Sequence, residues 1–104
     1  MEEARFEKNA TVFAEGDPGD SVYVVYSGRA SIRKDGKEIG EVGPGGEFGE
    51  MAALSTEPRA ATVVATENLV CGVLDGDEFR ELLRAEPDIA LHLAQLFARR
   101  LARS

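Results

Sequence analysis

The residues of this chain best suited to chemistry lie in the stretch Gly45–Leu54 and at Arg59, which follows it closely. Glycines let a backbone approach a ligand, and the start of a short helix offers free N–H groups to an anion. Arg59 can supply a forked, permanently charged partner for a phosphate, and Glu50 can accept a hydrogen bond from a sugar hydroxyl. This combination predicts a pocket for a small phosphorylated sugar, for which a nucleotide is the natural candidate.

The same glycine-rich stretch differs from the common phosphate-binding loops. It lacks the Gly-Lys-Ser/Thr sequence of a P-loop. The glycines from Gly43 to Gly49 only vaguely match a dinucleotide fingerprint, which requires a parallel βαβ unit, and no crossover helix of suitable length follows them. On loop chemistry alone, a purely structural turn remains the alternative interpretation.

Catalysis and metal binding have little support in the sequence. The single histidine, His92, and the single cysteine, Cys71, are distant in the chain and form neither a metal cluster nor a triad. We interpret Cys71 as a buried thiol that packs like a small hydrophobe, and His92 as structural or solvent-facing. The nineteen acidic residues show no spacing that selects an acid–base pair. We therefore predict no enzymatic activity, no metal and no cofactor.

Length, composition and charge narrow the class of protein. A chain of 104 residues suits a single domain, residues 1–104, and its 43% apolar residues support a core. No apolar run approaches the ~20 residues that a membrane span needs, and the first residues do not form a leader, so we expect a cytoplasmic protein. The net charge of −7 argues against direct contact with nucleic acid. Screening limits repulsion of an anionic ligand to roughly 8 Å at cellular salt, so a local arginine could still hold a phosphate.

The elements that must position these residues are predicted to be short strands followed by helices. Runs rich in β-branched and aromatic residues predict strands at 21–26, 30–33, 37–42, 61–65 and 69–74. Asp35 and Gly36 predict a hairpin turn, because both central positions of such a turn favour positive φ. Regularly spaced short strands of this kind indicate a sandwich or a small barrel.

The last quarter of the chain is predicted to be helical. Phe79, Leu82 and Leu83 stand at helical spacing, and Pro87 suits the first turn of a further helix. Apolar residues then recur with a period of 3.6, which predicts an amphipathic helix over 88–103. A second, thinner apolar stripe either packs against the sheet or forms a dimer seam or partner contact; it consists of Leu91, Ala94, Ala98 and Ala102.

Two stretches resemble a known family. Residues 48–54 together with 58–63 are similar to the phosphate-binding cassette of cyclic nucleotide-binding domains, and residues 13–28 resemble the glycine-rich turn and following strand of the same family. The order and spacing of the two stretches also match, and the resemblance covers roughly residues 5–104. It implies a mainly β fold with flanking helices: a β jelly-roll barrel with a short phosphate-cassette helix and C-terminal helices.

The resemblance also implies roles for individual residues. Glu50 would accept a hydrogen bond from the ribose 2′-hydroxyl, Arg59 would pair with the cyclic phosphate, and Gly49 would let the backbone approach the sugar. The remaining contacts would come from the backbone N–H groups of Ala52, Ala60 and Ala61 and from apolar walls formed by Ile32, Met51 and Val63. The alternative is that Glu50 and Arg59 form a mutual salt bridge in an empty cassette.

The base and the output signal are further expectations from the resemblance. In relatives selective for cyclic GMP, a threonine often follows the arginine, whereas Ala60 offers no side-chain hydrogen bond, so we expect cyclic AMP in preference to cyclic GMP. In catabolite activators the last helix caps the base and forms a dimer coiled coil, whereas in bacterial cyclic-nucleotide-gated channels an arginine of this helix can act as a lid. Arg99 is the matching candidate and Arg100 the alternate, although both could simply complement the helix dipole.

Together these expectations predict a regulatory module that binds a cyclic nucleotide and signals through movement of its C-terminal helix. Its partner would be an effector domain or a second copy joined through that helix. One alternative is a domain that kept the fold, lost the sensing and serves in protein interaction. Another is a jelly-roll metalloenzyme of the cupin kind, which usually needs several histidines, and a cyclic dinucleotide is a minor alternative ligand.

Overall fold

Two antiparallel four-stranded sheets form the framework of the computed structural model, which describes residues 2–55, 57–92 and 95. The strands are β1 (Glu2–Phe6), β2 (Thr11–Phe13), β3 (Val22–Ser27), β4 (Ala30–Lys34), β5 (Lys37–Val42), β6 (Glu47–Phe48), β7 (Thr62–Ala65) and β8 (Leu69–Leu74). The first sheet has the order β1-β8-β3-β6 and the second the order β2-β7-β4-β5. The helices α1 (Glu50–Ser55) and α2 (Gly76–Ala85) accompany these strands.

The apolar core lies between the two sheets and draws on both. The first sheet contributes Val25, Phe48, Leu69 and Cys71, and the second contributes Ala30, Val63 and Ala65. Because side chains alternate along a strand, each strand of this core supplies every second residue to the interior. Cys71 is fully buried, as predicted, and burial raises the pKa of its thiol to about 11.

The predicted jelly-roll fold is confirmed, and within the described residues its two sheets remain separate instead of closing into a continuous barrel. Each strand predicted from the sequence is present within a residue or two of its predicted ends. Asp35 and Gly36 form the turn between β4 and β5 with φ values of 53° and 77°, which confirms the predicted hairpin.

Both helices pack on β3 through a second, smaller apolar cluster. Phe79 of α2 meets Ala53 of α1 and Val22 of β3, and all three side chains are buried. The start of α2 is fixed by a capping box: the Asp75 carboxylate accepts a hydrogen bond from the Glu78 N–H at 2.8 Å, and the Glu78 carboxylate accepts one from the Asp75 N–H at 3.2 Å. The cluster therefore joins α1 and α2 to each other and to the first sheet.

A single residue separates α2 from the next helical segment. Glu86 has φ −127° and ψ 83°, since a residue that precedes proline avoids helical angles. Residues 87–92 and residue 95 are helical, so Pro87 begins this segment as predicted, and His92 is exposed. The rest of the helix predicted over 88–103, with Arg99, Arg100 and most of the thin apolar stripe, lies outside the described residues. In the part of the chain that is described, no helix combines the length and apolar character needed to cross a bilayer.

Candidate functional site

The backbone of Arg59 is bound to the turn that precedes β3. The Arg59 N–H donates to the Asp17 carbonyl at 2.9 Å, and the Gly16 N–H donates to the Arg59 carbonyl at 2.8 Å. A third hydrogen bond joins the same two stretches: the Glu15 N–H donates to the Thr62 hydroxyl at 2.9 Å. The two sequence stretches that carry the family resemblance, although about forty residues apart, therefore form one structural unit.

The side chain of Arg59 is held on several sides and is only 5% exposed. Its Nη1 donates to the Gly49 carbonyl and its Nη2 donates to the Ser21 carbonyl, both at 3.1 Å. Its guanidinium carbon lies 4.0 Å from the centroid of the Phe13 ring. Its Nε is buried and has no hydrogen-bond acceptor among the described residues.

This arrangement leaves a buried, positively charged guanidinium with N–H donors that the two carbonyls do not engage. Burial lowers the pKa of the Arg59 guanidinium, while Tyr23, Asp20 and Asp17 act in the opposite direction; an arginine in a protein nevertheless stays protonated at neutral pH. A guanidinium has five N–H donors, and a buried donor left unpaired costs roughly 1–3 kcal/mol. An anion that reached this group would remove that cost.

Gly49 makes the close packing around Arg59 feasible. Its φ of 88° favours glycine, and a Cβ at this position would lie 2.6 Å from the Ser21 carbonyl oxygen and 3.0 Å from Nη1 of Arg59. The approach of Gly49 to a sugar stays a prediction, and the close neighbours that the structure records are protein groups.

Glu50 is the first residue of α1 and is only 2% exposed. It directly follows Gly49, whose carbonyl accepts a hydrogen bond from Arg59. A carboxylate and a guanidinium, both buried, therefore belong to one loop–helix junction. Burial favours strong, oriented hydrogen bonds, because neither group is surrounded by competing water.

The other residues predicted to line the site occupy varied environments. Ala52 is buried in α1, Ala60 is exposed and Ala61 is half-buried ahead of β7, whereas Met51 is 52% exposed. Ile32 of β4 and Val63 of β7 lie directly opposite each other in the second sheet, with Val63 buried and Ile32 packed against the core. The predicted lid, Arg99, lies outside the described residues.

Two residues of the site received no role from the sequence. Phe13 stacks on the guanidinium and Ser21 accepts a hydrogen bond from it, and both belong to the stretch that carried the family resemblance. Ser21 acts through its backbone carbonyl, which any residue possesses, so its identity gave no signal. In the described part of the chain, no three His, Cys, Asp or Glu side chains come together as a metal ion would require.

Comparisons with known proteins identify the family of this chain. The family model of the cyclic nucleotide-binding domain matches residues 3–86. The chain is 41% identical over 83 residues to a cAMP-dependent protein kinase regulatory subunit of Yarrowia lipolytica, and the match covers 80% of this chain and 22% of the relative. It resembles the solved Thermus thermophilus catabolite activator protein with a TM-score of 0.89 and 32% identity, over 98% of this chain and 50% of that one.

A third similarity is to a structure of PfPKA-R with cAMP bound, with a TM-score of 0.83 and 29% identity, over 98% of this chain and 36% of that one. The chain thus spans half or less of the length of each of these proteins. The family match includes the turn before β3, α1 and Arg59, which are the parts that build the site. On this match, the chain belongs to the family of cyclic nucleotide-binding domains.

Proposed function

We propose that this chain is a non-enzymatic regulatory module that binds cyclic AMP in preference to cyclic GMP. The observation that carries the proposal is the Arg59 guanidinium, which is buried, charged and left with an unpaired Nε–H. A cyclic phosphate carries the negative charge and the acceptor oxygens that such a group lacks. The relatives named above support this choice, because two of them carry cAMP in their names.

The phosphate and ribose contacts would come from the loop–helix junction. Arg59 would bind the phosphate, helped by the backbone N–H groups of Ala52, Ala60 and Ala61, and Glu50 would accept a hydrogen bond from the ribose 2′-hydroxyl. Gly49 supports this geometry, since its backbone already passes within contact distance of Arg59. Met51 would close over the sugar by turning its exposed side chain inwards.

The preference for adenine rests on Ala60 and on the apolar wall. Ile32 would offer adenine or guanine an apolar surface without distinguishing between them, and Val63 would support it from the core, where its side chain is buried. Ala60 is exposed and its methyl group cannot hydrogen-bond, so guanine would gain nothing from it. Cyclic GMP would therefore bind more weakly than cyclic AMP.

The output would be movement of the helix that follows Glu86. The helical break at this residue lies between α2, which packs on α1, and the segment at 87–92. Ligand at α1 would favour one position of the terminal helix, which requires tighter binding to that position than to others. Arg99 would then reach over the base, and an effector domain or a second copy would sense the helix. A cytoplasmic location and no direct contact with nucleic acid are part of the same proposal.

Isothermal titration calorimetry with cyclic AMP and cyclic GMP tests the proposal. A charged hydrogen bond contributes about 1.5–3 kcal/mol, so Arg59→Ala should weaken binding of cyclic AMP at least ~10-fold. Arg29→Ala is the matched control, because Arg29 is exposed and pairs with Glu41 on the surface. It should bind like the wild type.

Two results would contradict the proposal in different ways. Absence of heat and of any thermal shift with either nucleotide at millimolar concentration would exclude ligand binding. An equal, measurable affinity of wild-type protein and Arg59→Ala for the nucleotide would instead mean that the ligand does not use the site around Arg59.

A further inference from the structure

We propose that Phe13 is a positioning residue for Arg59, whose ring sets the tilt of the guanidinium so that its unpaired N–H edge meets the ligand phosphate. The inference rests on the proposed function and adds a residue to the binding machinery. It starts from the 4.0 Å distance between the guanidinium carbon and the centroid of the Phe13 ring.

The position of Phe13 is fixed by the second sheet. Phe13 is the last residue of β2 and lies opposite Val63 in the ladder that joins β2 to β7. Because β7 begins three residues after Arg59, the ring and the guanidinium are carried by neighbouring, paired segments. The register of β2 is irregular between Thr11 and Phe13, and after Phe13 the chain enters the turn that binds the Arg59 backbone.

Other aromatic rings hold the Phe13 ring in place. Its centroid lies 6.0 Å from that of Tyr23 and 5.9 Å from that of Phe48, while Tyr23 and Phe48 stack on each other at 4.9 Å. Rings at these distances attract one another and pack rigidly. Phe13 is thus a fixed platform that extends the aromatic cluster of the core to the guanidinium.

Two kinds of interaction control the orientation of the Arg59 guanidinium. The carbonyls of Gly49 and Ser21 accept from Nη1 and Nη2, and such bonds lie in the plane of the guanidinium. They resist rotation within the plane but allow the plane to tilt about the line joining the two acceptors. The Phe13 ring lies against the face of the plane, and so opposes that tilt by cation–π attraction and by contact.

This division has a consequence for binding. A ring on one face uses none of the five N–H donors, so the donors that the carbonyls do not engage, the buried Nε–H among them, are left unpaired by the ring. An aliphatic side chain of similar size at position 13 would fill the same space without the attraction to the cation. It would therefore preserve the core better than it preserves the affinity for a phosphate.

A double-mutant cycle tests the inference. Phe13→Leu should weaken binding of cyclic AMP by about 3- to 10-fold, in line with a partly desolvated cation–π contact, and Phe13→Tyr should bind within about twofold of the wild type. In an Arg59→Ala background, Phe13→Leu should cause no further loss, because the residue acts only through the guanidinium. Affinities weakened to the millimolar range are followed by NMR titration.

Two further measurements separate positioning from stability. Phe6→Leu is the matched control, since Phe6 is half-buried and packs on Tyr23 with ring centroids 6.2 Å apart; it should lower the urea midpoint and spare the affinity. In ligand-free protein, the Arg59 side-chain N–H resonances should be shifted upfield by the Phe13 ring. This shift should persist in Phe13→Tyr and vanish in Phe13→Leu.

The outcomes distinguish this inference from the proposed function. If wild-type protein does not bind either nucleotide, both fail. If Arg59→Ala weakens binding but Phe13→Leu and Phe13→Tyr bind equally, or if Phe13→Leu costs the same affinity with and without Arg59, only the role of Phe13 is overturned. If Phe13→Leu does not fold, Phe13→Met, which better matches the ring in length, replaces it in every comparison.

Discussion

At the scale of single residues, the site depends on keeping a buried charge incompletely satisfied. A guanidinium with all its N–H groups paired would have little to gain from a ligand, whereas one with no partners would destabilise the fold. Arg59 lies between these limits, since two carbonyls and a ring hold it and its Nε remains unpaired among the described residues. On the proposed function, this incomplete pairing is the source of the affinity for a phosphate.

Base selectivity can be tested at the neighbouring residue. Ala60→Thr adds one hydroxyl at an exposed position, and a net hydrogen bond of about 0.5–1.5 kcal/mol to guanine would improve binding of cyclic GMP by roughly 2- to 10-fold. Binding of cyclic AMP should stay nearly constant, as competition titrations with both nucleotides would reveal. Ala60→Val has the same shape without the hydroxyl; an equal gain of cyclic GMP affinity in this variant would contradict the hydrogen-bond explanation.

Side-chain chemistry made part of the site predictable and left part of it hidden. Glu50 and Arg59 could be predicted, because a carboxylate and an arginine beside glycines suit a ribose and a phosphate. The contacts of Arg59 with Ser21 and Phe13 could not, since the first uses a backbone carbonyl and the second joins residues 46 positions apart. Both depend on how the strands pair, which spacing along the chain does not reveal.

At the scale of elements, strands were predictable where turn residues bracket a run of strand-forming residues. β5 and β8 were predicted with their observed bounds, because each is bracketed by glycine or charged turn residues. β1 reads Glu-Glu-Ala-Arg-Phe on the exposed edge of its sheet, and β6 has only two residues. Such segments become strands through the ladder hydrogen bonds of a neighbour, not through their own composition.

The junction between the helices is also an element-scale feature, and Phe79 is its largest buried side chain. Phe79→Ala should destabilise the protein by about 3–5 kcal/mol, since it removes a ring packed between Val22 and Ala53. Urea denaturation measures the loss. Hydrogen exchange should show α1 losing protection with α2, because Ala53 belongs to α1.

Tyr26→Ala is the control for this substitution, because Tyr26 is a large side chain that is 47% exposed. It should lower the free energy of unfolding by less than about 0.5 kcal/mol. If Phe79→Ala were no more destabilising than Tyr26→Ala, the helices would not depend on this cluster. If only α2 lost protection, the coupling of α2 to α1, on which the proposed helix signal depends, would be refuted.

At the scale of the whole molecule, the charge of Arg59 and the total charge of the chain have opposite signs. The net charge is −7, while Arg59 carries a buried positive charge. The described residues extend over 35 × 32 × 24 Å. The Debye length, over which a charge is felt in solution, falls from about 30 Å at 0.01 M salt to about 8 Å at 0.15 M. Nearly all surface charges therefore act on an approaching nucleotide at low salt, and only those around the site do so at physiological salt.

Association of cyclic AMP should consequently become faster as salt is added, by roughly twofold between 0.01 M and 0.15 M, which is the reverse of an electrostatically steered encounter. Stopped-flow measurements with a fluorescent cyclic AMP analogue give this rate.

Two variants separate the charges near the site from those far away. Glu57→Lys and Glu67→Lys change the net charge equally. Glu57 is two residues from Arg59, whereas Glu67 lies beyond the far end of β7, a strand of about 13 Å. Both should accelerate association at low salt, and only Glu57→Lys should do so at 0.15 M. A rate that fell with salt in the wild type would mean that the field of Arg59 extends beyond the site and dominates the encounter.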